Sequence, residues 1–174
     1  MPTWSHFKTL LGWLLPWGWP SWPILGAAAG MSLLVAMATD YGVAWLQYLV
    51  PAAEGYELWL IDLVAVRSPT EAVAKFGLLC LLPAFLEESL FRGICQTLLE
   101  CACGKWIGLV LAACLFAAAH ANWRYFPLYT LLGIFLGALY QWRRTLWLPA
   151  IAHLVNNTWT YATKAAGWSL PGLG

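Results

Sequence analysis

The chain has little charge: 10% of its residues are Asp, Glu, Lys or Arg, whereas an average soluble domain carries about 25%. This scarcity excludes an ordinary water-soluble fold, because 61% of the 174 residues are hydrophobic and a domain of that size cannot hide so much apolar surface. The net charge of +1 and the lack of any Lys/Arg-rich run give no indication of a nucleic-acid partner. We therefore expect an integral membrane protein surrounded by the lipid bilayer.

Cysteine pairs are also missing. The chain has five Cys residues, an odd number, and none of them forms a CxxC pair. Neither a disulfide framework nor a cysteine zinc site is therefore indicated. The cysteines are interpreted as small packing residues of membrane helices.

Apolar segments of membrane-spanning length recur along the sequence. A spanning helix needs about 20 mainly apolar residues, with a range of about 17–25. The predicted spans are residues 23–50, 76–99, 106–121, 125–141 and 145–163. Before them, the Trp-rich stretch 10–19 is broken by Pro16 and is predicted to be a retained interfacial segment rather than a cleaved signal. The predicted fold class is all-α, a multi-pass bundle of about five spanning helices plus this N-terminal segment.

The segments are expected to form one integral membrane domain, residues 1–174, with N-terminal helices over 1–75 and a catalytic core over 76–164. Small residues four apart are predicted to let helices approach closely. The pairs are Gly26/Gly30, Gly104/Gly108 and Gly133/Gly137. Pro83 is expected to kink its helix. The short turn with Arg143 and Arg144 is interpreted as a cytoplasmic topology signal, which biases the far ends of the adjacent helices toward the non-cytoplasmic side.

Three polar clusters interrupt the apolar segments: Glu87-Glu88 with Arg92, His120, and His153 with Asn157. An ionisable side chain in a bilayer costs roughly 2.5–3.5 kcal/mol on insertion scales, so such groups are usually paired and functional. Glu88 and Arg92 are four residues apart and are predicted to form an ion pair on one helical face. Glu87 is rotated by about 100° from Glu88, so it lacks a local partner and can point into a cavity.

These residue types together predict hydrolysis of an amide bond. A carboxylate beside an imidazole can act as a general base toward water, and a second imidazole with an amide N–H can stabilise the oxyanion that follows. Patterns of other peptidase classes, GxSxG, HExxH and paired Asp, are absent. Two His and a Glu could alternatively hold zinc with a bound water, so metal dependence stays open at this point.

The spacing of these residues resembles a known family. Residues 87–92 match an EExxxR motif, residues 116–120, from Phe116 to His120, match FxxxH, and residues 153–157 match HxxxN. In this order on successive apolar helices they resemble the CaaX prenyl endopeptidase type II and bacteriocin-processing (Abi) family. The resemblance covers 76–164 and is nearest to its compact prokaryotic, sorting-type branch.

What the resemblance implies is a metal-free, glutamate-dependent intramembrane endopeptidase of the prokaryotic inner membrane. Its substrate would be a membrane protein or peptide, processed in the C-terminal region of an anchored or exported protein. Glu87 with His120 would activate the water, and His153 with Asn157 would form the oxyanion site. Glu88, Arg92 and Phe116 would be supporting residues.

Two readings from other functional classes remain beside the enzyme. The first is a catalytically silent membrane scaffold or immunity-type protein of the same fold. The second, a proton-coupled transporter, is disfavoured by the small number of helices and the lack of an inverted repeat. Asn156 and Glu100 are interpreted as bystanders. The sequence does not determine the oligomeric state.

Overall fold

The computed structural model describes residue 12 and the ranges 15–49 and 62–167, and the regular structure in these ranges is entirely helical. The elements, with α- and π-helices numbered separately in chain order, are α1 (Trp22–Leu49), α2 (Pro69–Phe76), π1 (Gly77–Leu81), α3 (Leu82–Glu88), π2 (Ser89–Gln96), α4 (Thr97–Cys103), α5 (Lys105–Ala119), α6 (Phe126–Arg143) and α7 (Trp147–Ala165). The predicted all-α class is confirmed. Most of the predicted N-terminal interfacial segment, and residues 50–61, lie outside the described residues.

Membrane-spanning character is clearest in α1. Of the helices in the described ranges, α1 is the one that is long and apolar enough by itself to cross a membrane, and α5 is apolar but shorter. The first predicted span therefore has a helix that fits it. α6 and α7 coincide closely with the fourth and fifth predicted spans. The multi-pass arrangement as a whole stays a prediction.

The second predicted span lies inside a longer helical run, residues 69–103, which we call the motif helix. Ser68 caps its N-terminus, because the Ser68 hydroxyl accepts a hydrogen bond from the Glu71 N–H at 3.2 Å, and Pro69 is the first residue of the run. The run is not uniform, because π1 and π2 interrupt the α-helical register. Pro83 is the second residue of α3, which begins where π1 ends. The proline thus lies where the helix changes from π to α register. Such a change is itself a cause of helix bending, and the sequence predicted only the proline kink.

Close packing of α5, α6 and the motif helix depends on three of the predicted small residues. A side chain at Gly133 would place its Cβ 2.9 Å from Ala113 Cα, and one at Gly137 would collide with Leu109. A Cβ at Gly108 would collide with the backbone of Glu100. These contacts confirm the predicted role of the Gly133/Gly137 pair. The Gly26/Gly30 pair behaves differently.

No atom lies within 4 Å of the Cβ positions of Gly26 and Gly30 in the described structure, so this predicted contact face is open. α1 packs mainly against α7, and it does so through residues other than these two glycines. The Ser32 hydroxyl donates to the Ala152 carbonyl, and the Trp159 indole donates to Asp40 at 2.7 Å. The apolar core between α1, α5, α6 and α7 includes Phe116, Leu136 and Leu148.

The segment before α1 is held against the turn between α6 and α7. The Leu146 N–H donates to the Pro16 carbonyl at 2.8 Å, and the Trp147 indole donates to the Trp17 carbonyl at 2.9 Å. The Trp17 ring also stacks on Phe85 of α3 at 5.5 Å between centroids. Residues 15–21 therefore fix the start of α7 relative to the motif helix.

Candidate active site

Glu88 and Arg92 form the buried ion pair that their spacing predicts. Arg92 donates through Nη1 to Glu88 Oε1 at 2.8 Å, and both residues are buried, at 1% and 0% exposure. The second terminal nitrogen of Arg92 donates to the Gly133 carbonyl at 3.2 Å. The pair therefore joins the motif helix to α6.

His153 completes this network from α7, which the sequence did not predict. Its Nδ1 lies 2.8 Å from the same Glu88 oxygen that Arg92 contacts, and the imidazole is 2% exposed. An Nδ1–H that donates to the carboxylate fixes the tautomer and leaves Nε2 as the nitrogen available to a substrate or water. Glu88 thus orients the ring of a predicted oxyanion residue.

Glu87 is placed differently from its neighbour. It is half-buried and forms no ion pair among the described residues, and its Oε2, like Oε2 of Glu88, is buried without a hydrogen-bond partner among them. Arg92 lies within electrostatic range of Glu87, although its contacts go to Glu88 and Gly133. This agrees with the expectation that one carboxylate is held in a structural pair while the other remains available. A buried carboxylate oxygen is costly unless a ligand or water satisfies it.

Phe116 connects the three motifs through its ring. The Arg92 guanidinium lies 4.5 Å from the ring centroid, and the rings of His120 and His153 lie 4.7 and 5.7 Å from it. Phe116 is fully buried, so each of these partners has a fixed surface to pack on. Both imidazoles and the guanidinium are therefore brought to one aromatic side chain.

His120 lies at the C-terminal end of α5 and is exposed. Its Nδ1 is 2.9 Å from the Phe116 carbonyl, and its ring stacks on Tyr129 at 4.3 Å between centroids. An Nδ1–H that donates to this carbonyl again leaves Nε2 free, and a neutral imidazole accepts a proton there. Tyr129 and Phe116 thus restrict the ring of the predicted partner of Glu87.

The two α7 carboxamides differ in burial. Asn157, one turn beyond His153, is half-buried. Asn156 is more deeply buried, and its Oδ1 has no hydrogen-bond partner among the described residues. It lies three residues after His153, a spacing that places it near the same helical face, and the interpretation of Asn156 as a bystander stays a prediction.

A metal site was the open alternative. Within the described part of the chain, no group of three or more His, Cys, Asp or Glu residues is arranged to hold a metal ion. The Nδ1 atoms of His120 and His153 already contact Phe116 and Glu88, respectively. The metal-free mechanism stays a prediction, and its test is given below.

Comparison with known proteins places this site in a family. Residues 69–159 match the family model described as "Type II CAAX prenyl endopeptidase Rce1-like", which spans every predicted site residue. The chain is also 40% identical over 81 residues to "Uncharacterized protein YpbD" of Bacillus subtilis, a match that covers 44% of this chain and 39% of that protein. No solved structure matches. The chain therefore belongs to the type II CAAX prenyl endopeptidase Rce1-like family, a family of membrane-associated proteases.

Proposed function

We propose that this chain is a multi-pass intramembrane endopeptidase that uses a glutamate-activated water to cut a peptide bond near or within the membrane. Its substrates are proposed to be membrane-anchored or exported proteins processed in their C-terminal regions. The observation that carries the proposal is the division of labour in the Glu87-Glu88 pair. Glu88 is fully buried and is held through Oε1 by Arg92 and His153, while Glu87 is half-buried and forms no ion pair among the described residues.

The first chemical step is the attack of water on the scissile carbonyl. Glu87 accepts a proton from the water as the water oxygen bonds to the carbonyl carbon. His120 assists from the other side, since its Nε2 can accept a hydrogen bond from the same water. The carbonyl π electrons move to the oxygen, which becomes an oxyanion. A positioned general base of this kind contributes typically about 10²–10⁴-fold to the rate.

The oxyanion is proposed to lie against His153 Nε2–H and the Asn157 carboxamide. His153 donates from both nitrogens when it carries a proton on each, and the Glu88 carboxylate compensates that charge at 2.8 Å. Glu87 then returns its proton to the leaving nitrogen as the C–N bond breaks. Collapse of the intermediate gives a carboxylic acid and an amine, and the acid proton passes to the amine, so the products leave as a carboxylate and an ammonium and the enzyme regains its starting protonation state.

Glu88 and Arg92 are positioning residues in this scheme. Glu88 Oε1 is occupied by two donors, and the side chain is fully buried, so water has no access to it. Its role is to fix His153 and to balance charge. Phe116 contributes by holding the rings of His120 and His153 at fixed distances.

Substrate identification provides the test of the function. Membranes of cells with the wild-type chain, without it, and with Glu87→Gln are compared by mass spectrometry of protein C-termini. The proposal expects shortened C-termini that need the wild-type chain and disappear in Glu87→Gln. Glu71→Gln is the matched control, because Glu71 pairs with Lys75 at 3.0 Å in α2, away from the site. An identical set of termini in all four samples would contradict a peptidase and favour the silent scaffold.

Metal dependence is tested on the same substrate. The proposal expects cleavage by protein purified in EDTA to continue at the untreated rate, with no stoichiometric metal by elemental analysis. Loss of cleavage in EDTA and recovery on addition of Zn²⁺ would establish the zinc alternative instead.

The multi-pass topology is tested by labelling. Trp123 lies in the turn between α5 and α6 and is 78% exposed, and Arg143 lies at the other end of α6. In a background without native cysteines, Trp123→Cys is expected to react with a membrane-impermeant maleimide from outside the cell and Arg143→Cys only after the membrane is opened. Labelling of both positions from one side would contradict a spanning α6.

A further inference from the structure

A cavity lies at the opposite end of the helices from His120. It has a volume of about 650 Å³. Its lining is mostly apolar by area and is formed by Gly12, Pro16, Thr97, Glu100, Cys101, Lys105, Tyr140 and Arg144. Two of these are cations and one is an acid, so the cavity lining carries a net charge of +1, and none of the residues belongs to the three motifs.

The acid of the cavity is already satisfied by the protein. Glu100 is mostly buried and accepts hydrogen bonds from the side-chain amides of Gln96 and Gln141 and from Arg144. Burial alone would raise the pKa of Glu100, but these three donors together lower it below its ordinary value. Glu100 therefore remains a carboxylate that is fully engaged, and it is not free to neutralise a second cation.

Lys105 is the cation that remains. Its ammonium lies 5.1 Å from the ring centroid of Trp106, and it forms no ion pair with a carboxylate among the described residues. The hydroxyls of Thr97 and Tyr140 lie on the same cavity wall, but their protons are used within the protein: Thr97 donates to the Arg92 carbonyl at 3.2 Å, and Tyr140 donates to the Thr97 oxygen at 3.0 Å. Lys105 and the guanidinium N–H groups of Arg144 that do not contact Glu100 are therefore the donors suited to a phosphate oxygen.

The surroundings of the cavity place it at the level of lipid headgroups. Trp106 and Trp142 flank it with 69% and 55% exposure, and exposed tryptophans gather at membrane–water interfaces. Glu100 follows Glu88 by twelve residues of the motif helix, roughly 18 Å of helix length. That separation is too large for the cavity to hold any group next to the scissile bond.

We propose that this cavity binds the phosphate headgroup of an anionic phospholipid. Basic pockets between helices on the cytoplasmic side of a membrane are suited to such headgroups. Lys105 and Arg144 supply the positive charge and the N–H donors. The site is independent of the catalytic residues, so a Glu87→Gln chain binds the lipid as the wild type does.

Native mass spectrometry of the full chain in detergent tests the proposal with phosphatidylglycerol and phosphatidylcholine of equal chain length. The expected result is one tightly retained phosphatidylglycerol per chain and weaker retention of phosphatidylcholine. Lys105→Gln is expected to weaken the retained lipid about fivefold, which corresponds to about 1 kcal/mol. Arg143→Gln is the matched control, since Arg143 packs over the Trp142 ring outside the cavity.

Two further variants test the cavity by its size and leave its charge unchanged. Cys101→Phe fills the cavity and is expected to abolish retention, whereas Cys103→Phe, at an exposed cysteine outside the lining, is expected to leave it intact. Equal weakening by Lys105→Gln and Arg143→Gln, or equal retention of the two lipids, would overturn the proposal. Displacement of phosphatidylglycerol by excess inorganic phosphate alone would also overturn it, because it would identify a site for free phosphate.

Discussion

Replacing Glu88 with Gln removes a buried negative charge on which two side chains depend. Gln keeps the size of the side chain and one acceptor oxygen, but Arg92 then keeps a positive charge at 1% exposure without its counter-ion. Removing one partner of a buried ion pair costs about 3–5 kcal/mol. If the contacts were only ordinary hydrogen bonds between membrane helices, two of them would be worth about 0.6 kcal/mol each.

These two magnitudes are far enough apart to be measured. The free energy of unfolding is obtained by reversible denaturation in mixed micelles for the wild type, Glu88→Gln, Arg92→Met and the double variant. We expect each single variant to lose about 3–5 kcal/mol and the double variant to lose less than the sum, because Met leaves no charge behind. A loss of no more than about 1.2 kcal/mol in Glu88→Gln, the sum of two ordinary hydrogen bonds, would refute the idea that this ion pair organises the site.

The remaining predictions concern packing and pH. Gly133→Ala is expected to destabilise the chain by about 1–3 kcal/mol, because its Cβ would meet Ala113, whereas Gly26→Ala is expected to be neutral or to stabilise it by up to about 1 kcal/mol in the same denaturation assay. Glu100 has a lowered pKa in the folded chain, so its contribution is present above its ordinary value of 4.5 and is lost as the pH falls through the folded value. Melting temperatures measured across acidic pH should therefore fall less steeply in Glu100→Gln than in the wild type, and equal slopes would contradict the assigned contacts.

Local spacing predicted the features that depend on one helix. The Glu88–Arg92 pair follows from a separation of four residues, and the isolation of Glu87 follows from a rotation of about 100° per residue. The long apolar run likewise predicted α1. Each of these relations is contained in a single helical segment, so helix geometry was sufficient.

Contacts between distant segments could not be predicted in the same way. His153 meets Glu88 across 65 residues, and Arg144 meets Glu100 across 44. Arg144 was interpreted as a topology signal and Glu100 as a bystander, because nothing in their local sequence indicates the partner. The openness of the Gly26/Gly30 face has the same cause, since a small-xxx-small pattern permits a close contact without specifying a neighbour.

The central claim is that Glu87 is the base that activates water. It is tested by measuring the cleavage rate of an identified substrate by purified chain in lipid vesicles, for the wild type, Glu87→Gln and the control Glu71→Gln. The account predicts a loss of at least about 10²-fold in Glu87→Gln, with membrane insertion unchanged and the control at the wild-type rate. A Glu87→Gln enzyme that keeps the wild-type rate would contradict it.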